Sequence, residues 1–279
     1  MEGFYTIKEA VEKYMDGCKA KAEMSVWRLI GKAIMAGAMI GMGAGISSVA
    51  AHTVADVGLA RLVAGVVFPV GLMMVILMGA ELFTGDCLFG MSLLDRKQKI
   101  WDFVKLLIFV YIGNFLGAGL IALLFSASGQ WDYSSGMLGA YTIKVALGKA
   151  NISFVQGIIS GILCNILVCA AVIMAVCAKD VTGKLLVSFF VIMMFVVGGF
   201  EHCVANMYYI TAGLIAKLNP EYVALAMSSY GFSEEYIESL NIYNFLVTNL
   251  IPVTIGNIIG GFACVGAPIY YLNRAKKTK

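Results

Sequence analysis

Charge is what this sequence has least of. Only 13% of its 279 residues are Asp, Glu, Lys or Arg, about half the share of an ordinary soluble domain. It has two His, three Trp and four Pro. No two of its seven Cys form a CxxC pair, and no His-Glu-x-x-His string occurs. The scarcity of charge excludes a disordered chain and a nucleic-acid binder, and with the apolar content below it excludes a soluble enzyme. The Cys pattern argues against a disulfide framework or a zinc site, so reduced packing thiols, no metal and no cofactor are expected. An Asn-Pro-Ala box is also missing: Pro69, Pro220, Pro252 and Pro268 all stand in other contexts. That weakens the alternative of an aquaporin-type channel for neutral solutes.

What is present is apolar. Hydrophobic residues make up 60% of the chain before its 31 Gly are counted, and such a chain needs lipid as its outer solvent. Six runs are long enough to cross a bilayer: approximately 29–50, 62–82, 103–126, 152–178, 185–200 continuing to about 214, and 246–272. The reading is an all-α polytopic membrane protein with a single six-span channel domain over 26–273. Trp27, Trp101 and Trp131 fall at span ends, where interfacial anchors belong. Ahead of the spans, residues 1–25 carry Phe4, Ile7, Val11, Tyr14 and Cys18 at helical spacing among Lys and Glu. This predicts an amphipathic helix on the membrane surface or against a neighbouring subunit, and no signal peptide. Residues 274–279 form a basic tail.

Most of the 20 Lys and Arg gather on the side of the N-terminal arm, the 2–3 loop, the 4–5 loop and the tail. Only Arg61, Lys144, Lys149 and Lys217 fall on the other side. By the positive-inside rule both termini are cytoplasmic.

The halves, about 26–126 and 149–272, repeat. Span three carries Gly113-Asn114-Phe115-Leu116-Gly117 and span six Gly256-Asn257-Ile258-Ile259-Gly260. Span two carries Glu81 and Asp86 five apart, span five Glu201 and Asn206. Three spans per half mean opposite insertion, hence a 3+3 inverted repeat. Glycines four apart, such as Gly37, Gly41 and Gly45, predict close helix crossings. Glycine beside polar residues in spans two and five predicts that both helices break, which lipid tolerates only around a cavity.

Ionisable groups at such depth call for a reason. Glu81 and Glu201 can cap freed backbone N–H groups, and Asn114, Asn165 and Asn257 can brace helices or loops. Thr84 can bond its own helix. His202, in the break of span five, points to a pore or proton-linked role, whereas His52 reads as a solvated loop residue. Lys149 reads equally as a pore-mouth cation or a snorkelling helix-end lysine. The long 215–245 segment reads as short helices over the mouth on the Lys149 side.

Taken together, ELFTGD at 81–86, ILCNILVC at 162–169, GFEHCVANM at 199–207 and NLIPVTIGNIIGG at 249–261 resemble the formate/nitrite transporter family along essentially the whole chain. The resemblance implies an aquaporin-like fold and a homopentamer in the cytoplasmic membrane of a prokaryote, each protomer with its own pore for small monovalent anions. It implies a central pore histidine at His202, a facing threonine at Thr84, a vestibule lysine at Lys149 and, beside the histidine, Asn165. It implies hydrophobic constrictions at Phe68 and Leu72 toward the outside and at Leu82 and Phe195 farther in. Gly85-Asp86-Cys87 departs from the formate members and is closer to the hydrosulfide branch. The expected anion is therefore hydrosulfide, with formate or nitrite as the alternative.

Overall fold

The computed structural model describes residues 3–273, so the basic tail lies outside the described residues. Its helices are α1 (Ile7–Ala22), α2 (Val26–Ala51), α3 (Val57–Met78), α4 (Phe83–Leu94), α5 (Ile100–Ala127), α6 (Met137–Ala150), α7 (Phe154–Cys177), α8 (Val181–Gly198), α9 (Cys203–Ala216), α10 (Pro220–Tyr230), α11 (Glu234–Glu238) and α12 (Asn244–Asn273). Six of them, α2, α3, α5, α7, α8 and α12, are long and apolar enough to cross a membrane. α4 and α9 are shorter apolar helices that follow the breaks after α3 and α8.

Glycine sets how closely the helices cross. α2 lies along α5 with Gly37 against the Asn114 backbone, and a side-chain carbon on Gly117 would sit 2.0 Å from the Ile34 carbonyl oxygen. The second half repeats this with α7 and α12, where a carbon on Gly256 would sit 2.2 Å from the Ile158 carbonyl oxygen. Small residues at these positions let backbones touch, which in lipid is a main source of helix association. Large apolar side chains on the far faces, such as Leu116, Leu120, Leu123 and Leu124 of α5, remain exposed on this chain.

α1 begins at a capping box, Thr6 with Glu9. Val11, Met15 and Cys18 are buried, and the Tyr14 hydroxyl donates to the Gly85 carbonyl at 3.0 Å. The Val11, Met15 and Tyr14 face thus packs on the end of its own bundle, where the α3–α4 break offers it carbonyls and carboxylates. Burial there pushes the Cys18 thiol up to about 11.

Two expectations change. Trp27 and Trp101 are 84% and 69% exposed, but Trp131 is 3% exposed and packs in the core instead of anchoring at an interface. His52 is tied down by the Val49 carbonyl at 2.7 Å and the Ser134 hydroxyl at 2.8 Å. Segment 215–245 does form short helices. α10 packs on α6, and Tyr222 donates to Asp132 at 2.5 Å.

Candidate functional site: a polar pair between two vestibules

The two breaks are built alike. α3 ends at Gly79 with φ 63° and α8 at Gly199 with φ 70°, left-handed turns that glycine adopts without steric cost. The chain then runs extended through Leu82 (φ −114°, ψ 123°) and His202 (φ −112°, ψ 115°) before α4 and α9 begin. Leu82 and His202 are therefore equivalent positions of the repeat.

Breaking a helix in lipid exposes backbone groups that need partners. Asn114 supplies them in the first half: its Oδ1 accepts from Phe83 N at 2.9 Å, and its Nδ2 donates to the carbonyls of Glu81 (3.0 Å) and Ala33 (2.8 Å). Asn257 does the same in the second half, with Cys203 N at 2.9 Å and the carbonyls of Glu201 (3.0 Å) and Gly161 (2.8 Å). The two GNxxG motifs thus hold the two breaks.

Capping by the carboxylates of Glu81 and Glu201 is not what the structure has. Both turn to lysines, because the asparagines already satisfy the amides. Glu201 Oε1 accepts from Lys149 Nζ at 2.9 Å, and its Oε2 accepts from Asn206 at 2.6 Å and Asn249 at 3.3 Å. Glu81 lies 2.5 Å from Lys21 and 3.6 Å from Lys32, and Asp86 pairs with Lys21 as well. One carboxylate in the second break meets one lysine; two in the first meet two. Burial disfavours the Lys21 ammonium, but Asp86, Tyr14 and Glu81 more than offset this and hold its pKa well above the ordinary value.

Two cavities are lined by residues of the two breaks. On the α1 side, one of about 230 Å³ is lined by Lys21, Lys32, Leu72, Glu81, Leu82 and Asp86, among others. On the opposite side, one of about 160 Å³ is lined by Arg61, Phe68, Lys149, Phe195, His202 and Tyr209, among others. Phe68, Leu72, Leu82 and Phe195 are all buried. Their grouping differs from the sequence expectation. Phe68 packs edge-on against Phe195 with ring centroids 5.4 Å apart, and Leu72 and Leu82 together line the other cavity. α8 crosses α3 at the level of Phe68, so the Phe68–Phe195 pair joins the two halves of the repeat, whereas Leu72 and Leu82 both come from the first.

At the centre, Thr84 Oγ1 and His202 Nε2 are 3.0 Å apart, both buried. His202 Nδ1 accepts from Ala205 N at 3.1 Å, capping α9. A nitrogen that accepts carries no proton, so the ring proton sits on Nε2 and points to Thr84. The threonine hydroxyl then keeps its own proton for another acceptor. Asn165 is hydrogen-bonded elsewhere than to the histidine: its Nδ2 donates to the carbonyls of Thr84 at 3.1 Å and Asn257 at 2.6 Å. It holds the backbone that presents Thr84. Lys149 lines its cavity but is 17% exposed and committed to Glu201.

Several contributors were not singled out from sequence. Asn249 links Glu201, Asn206 and the Lys149 carbonyl, and Lys21 and Lys32 looked like positive-inside markers only. The second acid of the first break, Asp86, was the available signal that this half needs an extra cation. Among the described residues no cluster suited to a metal ion occurs.

Comparison with known proteins gives the same architecture. The family model described as "Formate/nitrite transporter" matches residues 8–271. The chain is 38% identical to the formate channel FocA of Haemophilus influenzae over 219 residues, covering 78% of this chain and 76% of that one. It is 36% identical to formate channel FocA of Escherichia coli K12 over 211 residues, covering 75% and 73%. A solved "pentameric formate channel with formate bound" superposes with TM-score 0.78 at 32% identity, covering 88% of this chain and 97% of that one. An "FNT family ion channel" does so with TM-score 0.80 at 25% identity, covering 95% and 98%.

Proposed function

The chain belongs to the formate/nitrite transporter family, and from that premise we propose that it is a membrane channel for small monovalent anions of weak acids, with formate the favoured anion. The observation that carries this is a pair of cavities along α3, one lined by Phe68, Phe195 and His202 and the other by Leu72 and Leu82, with the buried Thr84 hydroxyl 3.0 Å from His202. A bare anion is expensive at a dry constriction. Phe68, Leu72, Leu82 and Phe195 strip its water, and a hydroxyl with a spare proton meets it where no water is left. Accepting that hydrogen bond stabilises the anion, and the proton that neutralises it is drawn from bulk water through the vestibule, since a neutral His202 has none to give. Weak-acid anions suit this site because their neutral forms cross apolar necks cheaply.

Formate is favoured because relatives and a structural neighbour carry it in their names. Hydrosulfide is the second reading, and it rests on Gly85-Asp86-Cys87. In this fold Gly85 receives Tyr14 and Asp86 receives Lys21, so the departure from the formate pattern also serves the docking of α1. The protein is a homopentamer with a pore in each protomer, as the pentameric neighbour suggests. The distribution of Lys and Arg supports cytoplasmic termini.

The test is osmotic swelling of proteoliposomes in formate, nitrite, hydrosulfide, glycerol and sucrose. Rapid swelling in formate and nitrite with none in sucrose is expected. Faster hydrosulfide than formate flux would move the assignment to the second reading, and swelling in glycerol alone would overturn the anion channel.

A further inference from the structure

Arg61 stands apart from the other cations that reach the pore. On α3 it shares one face with Ala64 and Phe68, at spacings of three and four, and all three line the vestibule that ends at His202. Seven residues of helix place it about 10 Å nearer the mouth than Phe68. Its guanidinium lies over the break between α8 and α9: a side-chain carbon at Gly199 would meet Nη1 at 3.5 Å and Nη2 at 3.6 Å. Arg61 is exposed. Among the described residues no carboxylate forms an ion pair with it. The other cation of this vestibule, Lys149, has its counter-charge 2.9 Å away in Glu201. The uncompensated positive charge of the vestibule therefore belongs to Arg61.

We propose that Arg61 is the anion-recruiting residue of this mouth, taking a small carboxylate or similar monovalent anion from bulk water and delivering it to the Phe68–Phe195 neck. The proposal deepens the channel reading above and rests on it. A charge at the rim of a low-dielectric cleft focuses its field into the cleft and raises the local concentration of counter-ions. A guanidinium stays charged at every physiological pH, so the field it sets at the rim does not titrate away. Lys149 then acts as a positioning residue that neutralises Glu201 in the second break.

Arg61 also lies at the C-terminal end of α8, whose carbonyls carry partial negative charge. A merely structural role there and recruitment differ in their response to salt and to Lys. The experiment measures initial formate uptake into proteoliposomes at low formate for the parent chain, Arg61→Gln and Arg61→Lys. Each is run at ionic strengths of about 20 mM and about 500 mM set by an impermeant salt, where the Debye length shrinks several-fold. Recruitment predicts that R61Q loses about tenfold at low salt and converges on the parent at high salt, with R61K close to the parent throughout. The maximal flux at saturating formate stays near the parent value. R61Q equal to the parent at low salt would overturn the proposal while the channel reading stands. So would equal losses by R61Q and R61K at both ionic strengths, which would assign Arg61 to the α8–α9 break. A parent chain that passes no anion at any ionic strength overturns both readings.

Discussion

Thr84 Oγ1 and His202 Nε2 meet at 3.0 Å although 118 residues separate them in the chain. Each comes from the broken span of a different repeat half, so the contact exists only because the two halves insert in opposite senses. The pair is not a symmetric one. Leu82, not Thr84, is the repeat counterpart of His202, so the same backbone position carries a buried leucine in one half and an imidazole in the other.

The pair should govern conduction. Thr84→Val leaves the Nε2 proton without its acceptor and removes the hydroxyl from the neck, at a cost of about 1–3 kcal/mol for the stranded donor. Formate flux is expected to fall about tenfold or more, with Thr84→Ser close to the parent. His202→Asn should lower flux and change its pH dependence. Stopped-flow swelling reads both, and parent-like flux in T84V and H202N alike would remove the pair from the mechanism.

The asparagines of the two GNxxG motifs should matter for stability to a similar degree. Each makes three buried hydrogen bonds to the backbone of a helix break or its neighbour. Asn114→Ala and Asn257→Ala each strand those backbone groups, a loss of about 2–4 kcal/mol. Melting in detergent, followed by scattering or fluorescence, should show comparable drops for both variants. A drop in one alone would mean that the breaks are not supported equivalently.

Lys149 and Glu201 should behave as a coupled pair. Lys149→Met leaves a buried carboxylate without its counter-charge, which costs about 3–5 kcal/mol. The double variant Lys149→Met with Glu201→Gln should recover at least half of that loss, since Asn206 and Asn249 can still donate to the amide oxygen. A double-mutant cycle on thermal stability measures the coupling, and additive losses would contradict the pairing.

Neighbouring glycines on α5 offer a sharp contrast. A methyl on Gly117 would sit 2.0 Å from the Ile34 carbonyl oxygen, while one on Gly119 would meet nothing within 4 Å. Gly117→Ala should force α2 and α5 apart and sharply reduce the yield of folded protein by size-exclusion chromatography. Gly119→Ala should leave yield unchanged or improve stability by up to about 1 kcal/mol through helix propensity. Equal behaviour of the two would refute the close crossing.

The sequence by itself determined the solvent, the spans, the inverted repeat and the location of both breaks. These follow from local properties: run length against bilayer thickness, and a GNxxG or Glu-centred string that recurs because the same local geometry is built twice. The roles of Thr84, Lys149, Phe68, Leu72, Leu82 and Phe195 were reached through resemblance, since periodicity reads Phe68 or Phe195 as ordinary core. What only the tertiary structure decided is who meets whom. Phe68 closes with Phe195, and Leu72 and Leu82 face the other cavity. Asn165 holds the backbone of Thr84 and leaves the imidazole to the hydroxyl. Glu81 and Glu201 meet lysines, and α1 folds back onto its own chain. Those pairings are set by how closely α2 approaches α5 and α7 approaches α12 at their glycines. Such distances depend on backbone contacts between segments far apart in the chain, and no local pattern encodes them.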